Sequence, residues 1–383
     1  MKTRQLYIIG IVLSVATILS GCAADSSSED VPRTARELKM VLCSKNYTDV
    51  TPVATRTLPT GYVDYEELSP KMPMEDTKIR AFVTKGNNID FQGDFIYTKT
   101  GNPPQAVWTS KVPVDDGDYY IYGFMPSNKL SSVSVAPLSN GSTSDYSHGA
   151  VMTISGLPSL APIDPCVIVA VKGSDQNAKP ITHEDINIQL GNFKFNAGTE
   201  GEYIYLLLDH LYAALDFTLC IDYDYNQLRT IKLTKLELKA QNVSAYGLTA
   251  TLTQGNSTAP LTISEASATD GEGTYQTIYE GDELQLKDRT QENYLFHFMA
   301  CVAPTATNTV YMLRTTYNVY DSKGNLIRKD CQAENKLTLS FEKHQGKTSL
   351  DVGEKYTFNL TVNPTYLYVL SDPDLDNPSL KVN

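Results

Sequence analysis

The residues of this chain best suited to chemistry are two short acidic clusters and five scattered histidines. One cluster spaces its carboxylates as at the start of a calcium-binding loop, at Asp372, Asp374 and Asp376. Such a loop needs glycine at its sixth position and glutamate at its twelfth, and this chain has Asn377 and Asn383 there. We therefore expect no calcium site in this segment.

The second cluster and the histidines also lack the spacing of a catalytic or metal site. Asp222, Asp224 and Asn226 alternate with tyrosines, which is typical of a strand end and a turn. The histidines are too far apart to pair as ligands on one element: His148, His183, His210, His297 and His344. The chain contains neither a G-x-S-x-G elbow nor a glycine-rich phosphate loop. The sequence predicts a protein that is not an enzyme and that has no metal and no cofactor.

One cysteine does have the context of a covalent modification. Lys2 and Arg4 precede an apolar run, Leu6 to Leu19, that is short for a membrane crossing and ends in small residues before Cys22. This pattern predicts a secretory signal over 1–21. The Leu-Ser-Gly-Cys sequence resembles a bacterial lipobox, which implies that Cys22 becomes the lipidated first residue of the mature protein. The alternative is a short membrane helix with a chance cysteine.

Composition restricts the partners of the exported chain. Residues 22–36 are mostly small and polar and predict a flexible tether. The chain has 44 acidic and 32 basic residues, a net charge of −12, and loss of the signal makes it more negative. A negative charge of this size argues against nucleic acid as a partner. The other five cysteines form no C-x-x-C pair, so we expect buried thiols in place of a zinc or redox motif.

Short alternating strands separated by Gly, Pro, Asn and Asp predict an all-β fold made of β-sandwiches. A shift in the apolar phase between Leu233 and Leu236 indicates a β-bulge. The apolar run 203–215 is compatible with a helix or a strand pair, and we favour strands. The length predicts two domains, 37–200 and 201–383, with the boundary in a Gly- and Glu-bearing stretch.

A long segment follows the first predicted strand. That strand covers 37–44, the next begins near Ile79, and the segment 45–78 between them contains four prolines. Loops of this length in compact domains are usually functional or disordered, and exposed extended loops are cleaved by proteases. Arg56, followed by Thr57, is the candidate cleavage site. Cleavage at the rival sites, Arg33 and Arg36, would leave the strand in place.

Several segments in this order resemble the fimbrillin-like family of Bacteroidales, the subunits of type V pili. They are the lipobox, Thr55-Arg56-Thr57, Trp108 ahead of DDGDYYIYGFMP, the stretch HLYAALDFTL, and the C-terminal YTFNLTVNPTYLYVLSDPDLDNP. The resemblance implies two transthyretin-like β-sandwich domains in tandem. It also implies export as an outer-membrane lipoprotein and cleavage by an arginine-specific protease, which removes strand 37–44.

In this family, a strand from another subunit then fills the vacated groove at the cell surface. The implied partners are other copies of the chain and related pilus subunits. The implied donor strand is C-terminal and consists of Tyr366, Leu367, Tyr368, Val369 and Leu370. The same five residues can instead be the last strand of their own sandwich.

Alternatives to a stalk subunit remain open. A pilus anchor would keep its lipid and its first strand, and a tip subunit would usually carry an extra binding domain. A surface glycan-binding lipoprotein of the starch-utilisation type shares the lipobox, the tether and the β-domains. Such a protein needs exposed Trp and Tyr platforms, and this chain has 24 Tyr but one Trp.

Overall fold

Strands make up almost all the secondary structure of the protein, which confirms the predicted all-β class. The computed structural model describes residues 35–45, 47–49, 65–66, 77–100, 105–127, 132–161, 163–175, 188–304, 310–337, 350–363 and 379–382. The strands are numbered β1 to β25 in chain order. Within these ranges, no helix has the length and apolar character needed to cross a membrane.

The largest sheet, called the first sheet, has nine strands and closes on itself. It contains β1 (Ala35–Lys45), β3 (Tyr65–Glu66), β4 (Lys78–Lys85), β5 (Asn88–Thr100), β6 (Gln105–Pro113), β7 (Asp118–Met125), β13 (Cys166–Asp175), β14 (Lys194–Asn196) and β15 (Glu200–His210). Their order is β13-β15-β1-β6-β5-β4-β7-β14, and β3 pairs with β1. An additional pairing of β13 with β7 closes the ring, so β1 is one of seven strands in a continuous ring of hydrogen-bonded neighbours.

A second sheet packs on the first and shares its core. It contains β8 (Ser132–Pro137), β11 (Gly149–Pro158), β18 (Val243–Thr253) and β19 (Leu261–Asp270), in the order β19-β18-β11-β8. Met152 on β11 and Leu248 on β18 belong to the same buried cluster as Phe82 and Trp108 of the first sheet. A separate two-stranded ribbon is formed by β9 (Ser139–Asn140) and β10 (Thr143–Ser144).

The third and fourth sheets enclose a second core. The third sheet contains β2 (Thr48–Asp49), β12 (Leu160–Ala161), β16 (Ala213–Ile221), β21 (Phe296–Val302), β24 (Glu354–Asn363) and β25 (Ser379–Val382). The fourth contains β17 (Thr230–Ala240), β20 (Gln276–Gln285), β22 (Tyr311–Tyr320) and β23 (Leu326–Leu337). Phe217 and Tyr356 of the third sheet are buried with Leu233 and Tyr317 of the fourth. Each core therefore lies between facing sheets.

Local sequence patterns account for several of these elements. The strand predicted over 37–44 is β1, and the apolar run 203–215 contains most of β15 and the start of β16. The phase shift in β17 is a β-bulge, because its register with β22 slips between Leu233 and Lys235. The slip leaves Thr234 outside the ladder, where its hydroxyl donates to the Thr316 carbonyl at 3.0 Å.

The predicted strand end and turn at 222–226 is wrong, because these residues begin a short helix, α1 (Tyr223–Leu228). Asp222 is its N-cap, and its carboxylate accepts from the backbone N–H of Asp224 at 3.0 Å. Asn226 donates to Asp288 at 2.6 Å. The side chain of Asp222 therefore caps the helix, whereas that of Asn226 bonds to Asp288.

Strand pairing crosses the predicted domain boundary at residue 200. β15, which begins there, pairs with both β1 and β13, and β18 pairs with β11. The division into 37–200 and 201–383, like the transthyretin-like topology of each half, stays a prediction.

Candidate functional site

β1 lies inside the first sheet, between β6 and β15. Its antiparallel ladder with β6 runs from Ala35 to Met40. Its parallel ladder with β15 runs from Lys39 to Ser44. Removal of β1 would therefore leave two staggered rows of unpaired backbone N–H and C=O groups, one on β6 and one on β15, and such edges bind an added strand.

The side chains of β1 belong to the core. Leu38, Met40 and Cys43 are fully buried, and Val41 and Leu42 are 8% and 6% exposed. The first half of the strand alternates, whereas the second half is covered on both faces. Five apolar side chains at roughly 1.5–3 kcal/mol each give on the order of 10 kcal/mol, before the entropy of ordering the strand is subtracted. β1 is thus a major part of the first core.

The single tryptophan lies against this strand. Trp108 on β6 is opposite Met40 and 1% exposed. Its indole Nε1 donates to the Thr77 carbonyl at 2.9 Å, and its ring meets Tyr97 edge-on with centroids 5.3 Å apart. The surroundings of Trp108 consequently depend on whether β1 is in place.

A cluster of polar side chains holds the C-terminal end of β1, and we call it the His210 cluster. Lys45 Nζ lies 2.6 Å from an Asp209 carboxylate oxygen, and the Lys45 carbonyl lies 2.6 Å from His210 Nε2. On the other side of the ring, His210 Nδ1 lies 2.6 Å from an Asp164 carboxylate oxygen. The Tyr47 ring stacks on the imidazole, with centroids 3.7 Å apart and planes 14° apart.

The hydrogen bonds of His210 favour its charged form. Both ring nitrogens face oxygen acceptors, and a neutral imidazole has only one N–H to donate. Only the imidazolium can satisfy both acceptors. Burial of the ring disfavours its charged form, but the Asp164 carboxylate and the Lys45 carbonyl outweigh this effect and raise the pKa of His210 above its usual value.

Tyr47 connects the His210 cluster to the third sheet. Its hydroxyl lies 3.8 Å from the Sγ of Cys301 on β21. Burial of the hydroxyl, followed by the negative charge of Asp164, raises the pKa of Tyr47 well above its usual value. The side chain of Tyr47 is therefore neutral at physiological pH, and it lies between the imidazolium of His210 and the buried thiol of Cys301.

The chain after Tyr47 occupies the outer edge of β24. β2 pairs parallel with the start of that strand, Thr48 beside Glu354. β25, from the end of the chain, pairs antiparallel with the other end of the same edge, from Leu360 to Asn363. Residues 35–49 thus contact the first core through β1 and the third sheet through Tyr47 and β2.

Asp164, Cys166 and His210 offer ligand atoms within 4.8 Å of one another, which invites comparison with a metal site. Two ligands of a tetrahedral ion at about 2.0–2.2 Å are roughly 3.3 Å apart, whereas the carboxylate and the imidazole are at hydrogen-bond distance. Burial, and then the charge of Asp164, raises the pKa of the Cys166 thiol well above its usual value. Since the carboxylate and the imidazole are hydrogen-bonded to each other, we interpret the group as a hydrogen-bonded network.

The five cysteines in the described ranges are buried thiols, as the sequence predicted: Cys43, Cys166, Cys220, Cys301 and Cys331.

The predicted site residues lie elsewhere in the chain. Cys22, Arg56, Thr57 and the segment Tyr366, Leu367, Tyr368, Val369 and Leu370 are all outside the described residues. Their roles stay predictions, and so does the absence of calcium at 372–376. The structure instead shows the strand that a cut at Arg56 would detach.

Sequence reasoning missed the His210 cluster. One signal was present, because Asp209 and His210 interrupt an otherwise apolar run. Charged pairs are rarely buried unless they have partners, so this dipeptide pointed to a polar network. The partners could not be found from the sequence, since Lys45 and Asp164 are far from His210 along the chain.

Comparison with known proteins gives similarity at the level of solved structures. Neither a protein-family model nor a curated protein matches the chain. A fimbrial protein of Bacteroides vulgatus is 13% identical with a TM-score of 0.33, over 91% of this chain and 98% of that one. A candidate cell adhesion protein of Bacteroides uniformis is 14% identical with a TM-score of 0.38, over 91% and 98%. The fimbrial anchor protein Mfa2 of Porphyromonas gingivalis is 10% identical with a TM-score of 0.25, over 90% and 97%. Identities and TM-scores of this size do not by themselves establish a common function.

Proposed function

We propose that this protein is a structural subunit, of the stalk type, of a cell-surface pilus that polymerises by strand exchange. The observation that carries the proposal is the position of β1, a strand at the N-terminal end of the described chain that pairs with β6 and β15 and buries its apolar side chains. A strand in this position can be removed by one cut in the chain after it. Its loss leaves a groove shaped for another strand.

Arg56 is the proposed cleavage site, and Thr57 would become the new N-terminus. The fragment ending at Arg56 would carry away β1, Tyr47 and β2 together. The groove between β6 and β15 would then accept Tyr366–Leu370 of a second copy. Main-chain hydrogen bonds would give affinity, and alternating side-chain pockets would set the register.

Export completes the proposed cycle. The lipid on Cys22 would deliver the unprocessed chain to the outer membrane, where an arginine-specific protease acts. Cys22 lies in the fragment that is released, so the lipid would be a delivery device and the polymer would lose this anchor. An anchor subunit would differ by keeping both the lipid and β1.

The rival cleavage site Arg36 is poorly suited to processing. It lies within β1, where its backbone pairs opposite Val112. Its guanidinium also bonds Asp116 at 3.0 Å. Proteases require an extended, accessible backbone, and a residue inside a paired strand does not offer one.

The glycan-binding alternative receives no support from Trp108. Surface glycan binding relies on exposed aromatic platforms, and the one tryptophan is buried against β1. We therefore propose the pilus function alone.

The test treats the purified mature chain with an arginine-specific protease. We expect one stable cut after Arg56, seen by intact-mass spectrometry, followed by a ladder of oligomers on unboiled SDS gels. Trp108 emission should shift to longer wavelength when β1 leaves, and should return towards its original position when a new strand fills the groove.

Two variants serve as matched controls. Arg56→Lys should block the cut, the emission shift and the ladder, whereas Arg36→Lys should leave all three unchanged. A chain that is cut after Arg56 and releases its fragment, yet stays monomeric at high concentration, would contradict the proposal. So would oligomers that form equally well without cleavage.

A further inference from the structure

We propose that the His210 cluster is a recognition site for the end of the strand in the β1 position. It binds a strand that brings a backbone carbonyl to His210 Nε2 and an aromatic side chain two residues later. In the uncut chain, the occupant is the chain's own segment 45–47. The inference concerns this segment directly, and it rests on the proposed function only for a replacement strand supplied by a second copy.

The contacts of the His210 cluster lie at the C-terminal end of β1, beyond the last residue of β1 that pairs with β6. The ladder with β6 stops at Met40, whereas the polar contacts begin at Lys45. Backbone pairing with β15 stops at Ser44, and the short ladder with β3 covers only Ser44 and Lys45. The His210 cluster therefore holds the strand terminus where its two long ladders have ended, and it opposes fraying there.

The geometry specifies what the strand must offer. His210 Nε2 needs an acceptor, and the Lys45 carbonyl supplies it at 2.6 Å. The flat face of the ring is covered by Tyr47 at 3.7 Å, an arrangement in which a cation meets an aromatic ring. A strand shifted by one residue would turn a different backbone group and a different side chain towards the ring, so the cluster also selects the register.

The titratable groups around the ring come from each element packed on it. Lys45 ends β1 and Tyr47 lies just before β2; Cys166 begins β13 and Asp164 lies two residues before it; Asp209 belongs to β15 and Cys301 to β21. The carboxylates favour the imidazolium, and the thiol and phenol carry no charge near neutral pH because burial raises their pKa. His210 is thus the group in the cluster whose charge can change near neutral pH.

The sign of the pH dependence follows from the raised pKa of His210. Its contribution to strand binding is fully present below the usual histidine pKa of about 6.5, and it is lost as the pH rises through the higher value of the folded protein. Above that value, the neutral ring has one N–H, and the Asp164 carboxylate, as the stronger acceptor, favours its position on Nδ1. The lone pair of Nε2 then faces the Lys45 carbonyl, and this contact becomes repulsive. Release of the β1 end should therefore increase with pH.

The experiment measures hydrogen exchange of the β1 peptide in the uncut chain at about pH 6 and about pH 9, corrected for intrinsic exchange rates. We expect faster opening at the higher pH, by roughly tenfold for each unit by which the pKa of His210 is raised. His210→Gln should abolish this pH dependence. Lys45→Met removes the ion pair with Asp209 but keeps the carbonyl, so it should speed opening equally at both pH values.

A second pair of variants tests the inference even if His210→Gln does not fold. Tyr47→Phe keeps the stacked ring and loses only the hydroxyl contacts, so at about pH 6 it should open more slowly than Tyr47→Ala, which loses the ring. Equal opening of the wild type at both pH values, or equal behaviour of the two Tyr47 variants, would refute the inference. Because these measurements involve no cleavage, neither result affects the separate test of pilus assembly.

Discussion

Replacement of Met40 by alanine tests directly how much the first core depends on β1. Met40 is fully buried and lies opposite Trp108. Replacement of a buried methionine by alanine typically costs about 2–5 kcal/mol, through lost transfer free energy and the cavity left behind. Since about 1.4 kcal/mol is a tenfold change, Met40→Ala should increase the opening of β1 by roughly 30-fold to several thousand-fold.

The assay is native-state hydrogen exchange read peptide by peptide in the uncut chain. Backbone amides of β6 and β15 that bond to β1 should exchange faster in Met40→Ala, while those of β17 and β22 in the second core should not. Met312→Ala is the control, because Met312 is half-buried on β22, which belongs to the fourth sheet, whereas β1 belongs to the first.

Two outcomes would refute the reasoning about β1. One is an increase of less than about threefold in β6 and β15, which would mean that the strand contributes little to the core. The other is an equal increase in both cores, which would mean that β1 opens only with global unfolding and cannot be exchanged as a separate element.

Two further predictions concern other parts of the molecule. Gly149→Ala should lower the free energy of unfolding by at least about 1–3 kcal/mol in urea titrations, because Gly149 has φ of +138° and an added Cβ would clash with the Leu252 carbonyl. Gly141→Ala, with φ of +68° but open space around the Cβ position, should cost less. The Glu283 carboxyl accepts from Tyr320, Lys232 and Asn318, which lower its pKa to about 2. Its stabilising contribution should be present above about pH 4.5 and be lost as the pH falls through about 2, and Tyr320→Phe should raise the midpoint measured by NMR.

The position of residues 35–49 gives the proposed cleavage more than one consequence. β1 completes the closed first sheet, Tyr47 covers His210 and touches Cys301, and β2 pairs with β24. One cut would thus alter the first core, the His210 cluster and the edge of the third sheet. Strand loss and strand capture can therefore be followed at three separate places.

Local patterns in the sequence determined the all-β class, the first strand and the bulge in β17. Apolar alternation depends on neighbouring residues alone, and a one-residue slip in phase is visible without knowing which strand pairs with which. The same reasoning failed at Asp222, because a capping side chain and the helix it begins depend on main-chain geometry that alternation does not encode.

Only the tertiary structure decided which strands flank β1 and what holds its end. Pairing of β1 with β15 joins residues more than 150 positions apart, and strand partners at such separations leave no local trace. The His210 cluster likewise depends on residues that are distant in the sequence, 45 and 47, 164 and 209–210, and that meet where β1 and β13 both pair with β15. The sequence predicted the first strand, and the fold showed that this strand lies between β6 and β15 within the closed first sheet.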